Sequence, residues 1–307
     1  MNNQGRHNVR RTAEPHKKSW ISRLPLLLFI ATISLIVLNK TWPKIQDYLL
    51  LSNVQRTAVQ VDPVILGSLP DSLPLWAVDL DSLRQVPELR EDATIVGTHL
   101  STYRQQLHEL PVLATGKHLD IILQAHEDPA DGFALNPIVI RSKHAIELLL
   151  NARRPEVVGN EGQDCDTLNE SAMFRMVVQY ATQHKIPIDR FSVYRSIQEE
   201  QDIDPVLRYG KSHPAARLIG YEDQTLNTLH FDNITWSDEH GPWAEPPHLM
   251  TALREMRSLV GLHRMLATMD REHRTHGAMV IGYMHGPELQ QLCETIGLQA
   301  TIYSTVQ

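Results

Sequence analysis

Four side chains able to do acid–base or metal chemistry stand at the ends of short apolar runs: His126, Glu161, Glu222 and His285. Neutral imidazole nitrogens and carboxylate oxygens are the donors of a divalent metal site. The same groups can take a proton from water without a metal. Arg257 has the chemistry to bind a substrate carboxylate or to stabilise a developing oxyanion. Each residue also has an ordinary role open to it. Glu161 and Glu222 could cap helices or lie in solvent, Arg257 could be a surface arginine, and His285 could close a turn. Glu127 and Asp128 read as an exposed turn beside His126. What marks the four is the repetition of one arrangement, an apolar run followed by a polar tip.

The elements that must position them alternate in type. Residues 278–282 are apolar or small, His285 follows, and Gly286-Pro287 leads into helical text from Glu288 to Leu298. This is the pattern of a buried strand, a tight turn and a helix whose first turn accommodates Pro287. Residues 118–125 form a further expected strand, with His126 at its tip. Ser142 is the expected N-cap of a helix that Pro155 ends, and residues 156–160 return as a strand towards Glu161. Residues 172–184 read as a helix, 186–191 as a short strand, 215–221 as a strand ending in Glu222 and Asp223, and 248–273 as a long helix. In that helix Leu249, Leu253, Met256, Val260, His263 and Ala267 form one stripe. Residues 76–80 and 93–99 are expected as early strands, 101–110 as a helix, 227–247 as an inserted loop and 299–305 as the last strand. The expected fold is α/β, with a mostly parallel central sheet flanked by helices. In such a sheet the strand tips converge on one crevice.

The N-terminal text differs in kind. Residues 1–20 are basic, and residues 24–38 carry no charge over 15 positions, between Trp20 and Trp42. The expected organisation is a cytoplasmic basic tail at 1–20 and a single transmembrane signal anchor at 21–42. A juxtamembrane helix and linker at 43–75 and an extracytoplasmic domain at 76–307 complete it. A cleaved signal peptide is the rival. The net charge of −7 offers no basic field for nucleic acid. The two cysteines, Cys165 and Cys293, exclude a cysteine-rich zinc site and leave one disulfide or two thiols open. Oligomeric state is left open too.

The motifs resemble those of the Tiki/TraB, erythromycin esterase and ChaN-like superfamily. Residues 280–289 are similar to its C-terminal Gly-x-x-His signature. Residues 154–162 are similar to its Arg-Pro strand ending in Glu161, and Leu218-Ile219-Gly220-Tyr221-Glu222-Asp223 to its middle acidic segment. Arg254-Glu255-Met256-Arg257-Ser258 resembles its arginine-bearing helix. The first motif departs from the pattern, because Leu123-Gln124-Ala125-His126 lacks the glycine and the acid or threonine; Gly97-Thr98-His99 competes for that place. The resemblance implies a hydrolase, metal-assisted by Mn, Co or Zn, acting on a peptide or small-molecule ester; joined to the expected N-terminal anchor, it would be membrane-anchored and extracytoplasmic. Its metal ligands would be His126, Glu161, Glu222 and His285, and its catalytic residues Glu161, His285 and Arg257. The alternative is a non-catalytic envelope protein of the same fold that binds haem, metal or a peptide.

Overall fold

A computed structural model describes residues 24–61, 80–85, 90–125, 137–161, 164–169, 204–230 and 249–306. The chain divides into two compact units, residues 1–49 and 50–307. Helix α1 (Leu24–Arg56) contributes to both. In the first unit it exposes Trp42, Ile45, Tyr48 and Leu49.

This helix corrects the expected membrane anchor at 21–42. Among the described residues no helix is long and apolar enough to cross a membrane. The uncharged run at 24–38 reaches about 22 Å at roughly 1.5 Å per residue, against a hydrocarbon layer of about 30 Å. Past that run the same helix carries Lys40, Pro43, Lys44 and Asp47. Residues 1–23 lie outside the described residues.

Among its described residues the second unit is α/β, built on one mixed seven-stranded sheet of order β1-β7-β2-β6-β3-β5-β4. The strands are β1 (Val59–Val61), β2 (His118–Gln124), β3 (Val157–Asn160), β4 (Asp164–Cys165), β5 (Arg217–Tyr221), β6 (His276–Gly282) and β7 (Gln299–Ser304). The five inner strands are parallel, and β1 and β4 close the edges antiparallel. Strands buried on both faces need near-continuous apolar text. In β2, Leu119, Ile121 and Leu123 enter one core, and Ile122 enters the other. Among the described residues the other helices are α2 (Leu80–Gln85), α3 (Arg90–Ala114), α4 (Pro137–Arg153), α5 (Pro205–Ser212), α6 (Leu249–Arg271) and α7 (Gly286–Ile296), with a short helical stretch at 224–230.

The chain moves outward through β2, β3 and β5, then returns through β6 to β7. Side chains of α4 and α5 share the core that includes Ile122, whereas α3, α6 and α7 fill the opposite one. Right-handed crossovers require this change of face when the direction of travel reverses. All parallel strands thus end on one edge, which receives Glu161, Glu222 and the turn holding His285.

Two local expectations change. Residues 93–99, expected as a strand for Ile95-Val96 and the glycine after them, lie inside α3. There Ala93, Val96, Tyr103, Leu107, Leu110 and Ala114 form one buried helical stripe. Ser142 is not an N-cap, because α4 begins at Pro137. Its buried hydroxyl instead accepts from Ala125 N at 3.1 Å and meets Thr305 Oγ1 at 2.5 Å, tying the end of β2 to the tail of β7. The expected strands at 76–80 and 186–191 and the helix at 172–184 lie on residues outside the described set, except Leu80, which opens α2.

Helix α6 lies close against the sheet. A Cβ at Gly159 would run into Met265 Sδ and the Tyr221 ring. Gly159→Ala is therefore expected to destabilise the protein by roughly 1–3 kcal/mol through overpacking, read as a lower urea midpoint at unchanged slope.

Candidate functional site

Parallel strand ends deliver three of the four expected residues to one place. Glu161 follows β3, Glu222 follows β5, and His285 ends the 3-10 turn Tyr283–His285 between β6 and α7. Glu161 is aimed by the neighbouring strand: its backbone N donates to Val280 O, and its Oε2 accepts from Gly282 N at 2.6 Å. His126 lies outside the described residues.

Arg257 reaches in from α6 and joins the acids. Its Nε and Nη2 donate to Glu222 Oε1 and Oε2 at 2.8 and 2.9 Å, a two-pronged grip. Nη2 also donates to Glu161 Oε1 at 2.8 Å. Burial opposes charge on Arg257, but Glu222 and then Glu161 outweigh it and raise the guanidinium pKa above its ordinary value. All four carboxylate oxygens thus accept from Arg257 or Gly282 N. A divalent ion held by Glu161 and Glu222 would have to displace the guanidinium, so these carboxylates as arranged do not fit the implied metal. Asp223, beside Glu222, caps the stretch at 224–230 by accepting from Thr225 N and Leu226 N.

His285 is held from behind. Its Nδ1 lies 2.7 Å from Ser258 Oγ, and its Nε2 lies 3.5 Å from Glu161 Oε1. The Ser258 hydroxyl has one proton and two acceptor neighbours, Arg254 O at 3.1 Å and Glu288 Oε2 at 3.4 Å. Ser258 thus orients the imidazole from the Nδ1 side, and Nε2 faces Glu161. Glu288 in turn pairs with Arg254 Nε. The side chains of His285 and Glu161 are only 5% and 7% exposed. Tyr283 and Met284, on the same turn, stand out in solvent.

Ser258, Glu288 and His230 were not singled out by sequence. Ser258 and Glu288 carried a signal, since they follow Arg254 by four positions and His285 by three, distances that share a helix face. His230 ends the stretch at 224–230. Burial, followed by the charges of Arg257 and His285, pushes its pKa down to about 3.

A second polar cluster lies towards the opposite, N-terminal ends of the strands. His118, Asp120 and His276 each offer a ligand atom within 4.8 Å of the others, so this group could hold a metal ion. Its sequence signal was an acid in an aliphatic strand, Leu119-Asp120-Ile121. No disulfide joins the cysteines. Cys293 is buried in α7, where burial pushes its thiol up to about 12, and Cys165 lies on β4.

Arg257→Met leaves two carboxylates without their shared cation. It is expected to cost about 3–5 kcal/mol in urea unfolding. Glu255, next to Arg254 on α6, has its pKa raised to about 7 by burial and then by Glu288. A carboxyl raised on folding binds its proton more tightly in the native state, so its contribution is full below the unfolded pKa of about 4.3. It is lost as pH rises through about 7. Glu255→Gln is therefore expected to be more stable than wild type at pH 8, with the difference vanishing near pH 4, measured as urea midpoints across that range.

No protein-family model, curated protein or solved structure matches the chain, so the functional reading stands on the geometry of these residues.

Proposed function

We propose that the chain is a hydrolase that cleaves a peptide or ester bond at the His285–Glu161 pair. The observation that carries this is the 3.5 Å separation of His285 Nε2 from Glu161 Oε1, with Nδ1 committed to Ser258. In the reactive form His285 carries its one proton on Nδ1, so both facing atoms accept. One water placed against them would donate a hydrogen to each and present its oxygen lone pair outward. His285 then takes one proton as that oxygen attacks the carbonyl carbon, and the imidazolium returns it to the departing amine or alcohol as the C–N or C–O bond breaks. Glu161 stabilises the transient imidazolium. Arg257 holds and aims Glu161, and its charge offsets the oxyanion that develops nearby. The proton acceptor here is an imidazole, so the chemistry does not depend on a metal at Glu222. Near-complete burial keeps bulk water from the pair and strengthens its electrostatics. The bond type follows the resemblance of the motifs that carry Glu161, Glu222 and His285.

Peptide and ester libraries incubated with the full chain test this reading. Wild type is expected to turn over at least one, and His285→Ala to lose roughly 10²–10⁴-fold in kcat/KM with its thermal midpoint largely kept. Ser258→Ala, which releases the Nδ1 proton, is expected to lower kcat more than it changes KM. Equal turnover by wild type and His285→Ala, or no turnover by wild type, would overturn the assignment.

A further inference from the structure

The cluster towards the N-terminal ends of the strands has its own chemistry. His118 opens β2 and His276 opens β6, side by side in parallel register. Their rings are 5.5 Å apart. Between them lies Asp120, fully buried in a strand whose neighbours are aliphatic. A carboxylate there is costly unless every lone pair is satisfied. His118 Nε2 lies 3.0 Å from Oδ1 and His276 Nε2 lies 2.8 Å from Oδ2. Arg153, the last residue of α4, donates its Nε to Oδ2 at 2.9 Å and its Nη2 to Oδ1 at 3.2 Å. Burial alone would push the Asp120 carboxyl up; the bonds from His118, His276 and Arg153 outweigh it and hold it well below the usual range.

Two imidazole nitrogens and one carboxylate oxygen make a donor set for a borderline divalent ion, with one position left for water. Zinc takes such donors at about 2.0–2.2 Å, which sets tetrahedral donor–donor edges near 3.3 Å. Each imidazole faces a different Asp120 oxygen, at 2.8 and 3.0 Å, and one ligand atom from each residue lies within 4.8 Å of the others, so the two rings have to close on one oxygen to complete the shell. An imidazole becomes a ligand through Nε2 when its remaining proton sits on Nδ1. His118 and His276 are about one-quarter exposed, so an ion has a way in from solvent. Arg153 is the competing cation, and its side chain is 36% exposed and able to turn outward.

We propose that His118, Asp120 and His276 form a zinc site that clasps the starts of the two central strands, the ion taking the place Arg153 holds. The site is separate from the His285–Glu161 pair and does not depend on the hydrolytic reading.

The test is calorimetric titration of the full chain, free of added histidines and dialysed against chelator, with zinc chloride. Metal content is then read by atomic emission. One zinc per chain is expected, weakened about tenfold or more in His118→Gln and in His276→Gln, and unchanged in His285→Gln. Arg153→Gln is expected to tighten binding, because the competing charge is gone. Zinc is also expected to raise the thermal midpoint of wild type but not of His276→Gln. X-ray absorption of zinc-loaded wild type, which needs no variant to fold, should report two nitrogen donors and at least one oxygen at zinc-ligand distance. Absence of bound zinc would overturn the proposal. So would affinity indifferent to both histidines, looser binding in Arg153→Gln, or sulfur in the coordination shell.

Discussion

The buried guanidinium of Arg257 is the interaction on which the C-terminal edge depends. It carries full charge at 7% exposure, an arrangement that only close counter-charges make tolerable. Glu222 and Glu161 supply them from the ends of two adjacent strands. Because Glu161 also accepts from Gly282 N, the grip extends to the end of β6 and the turn that carries His285. One side chain thus fixes the tips of three strands against one helix. A glutamate released from Arg257 would lose both its partner and its aim, so the stability of this edge and the geometry of the proposed site are one property.

The sheet places a mirror of this logic towards its other edge. There the buried centre is an anion, Asp120, and the partners are Arg153 and two imidazoles. A cation enclosed by carboxylates resists a metal ion, since any ion competes with a guanidinium bonded to three of the four oxygens and a backbone N–H bonded to the fourth. An anion flanked by imidazoles invites one, because two of its four donors can turn into ligands and the other two belong to a single, partly exposed arginine. The same residue types that suggested a metal at Glu161 and Glu222 therefore fit it better at His118 and His276.

Much of this was legible in the sequence, for reasons that differ by element. The text around β6 and α7 was unambiguous: an aliphatic run, a glycine, and Pro287 where a helix tolerates it. The ends of β3 and β5 were equally marked, so the text alone places Glu161, Glu222 and His285 on one edge. Residues 93–99 misled because β-branched Ile95 and Val96 suggest a strand, while the buried spacing that makes them helical runs on to Ala114. The apolar run at 24–38 suggested a span by composition, but its length falls short. The roles within the cluster were hidden for another reason. Whether Glu222 serves as ligand, base or counter-ion depends on which oxygen meets which nitrogen, and that is set by how α6 crosses the sheet.

That crossing is itself a matter of close approach. Arg254, Arg257 and Ser258 sit at spacings of three and four, so they leave α6 on one side, while Leu253, Met256 and Val260 are buried in the core. For the polar side to reach the strand tips, the helix must lie low on the sheet, and Gly261 permits it one turn further on. A Cβ there would sit 2.6 Å from the Tyr221 ring and 2.9 Å from Met279 Cε. Tyr221 is in turn pinned by its hydroxyl bond to Val280 O at 2.6 Å. Tyr221 thus spans from β5 to β6 beneath the helix and sets its height. A side chain at position 261 would lift α6 off this ring and draw Arg257 away from Glu222 and Ser258 away from His285 together. The precision of the polar cluster is therefore supplied by an apolar contact one helical turn away from it.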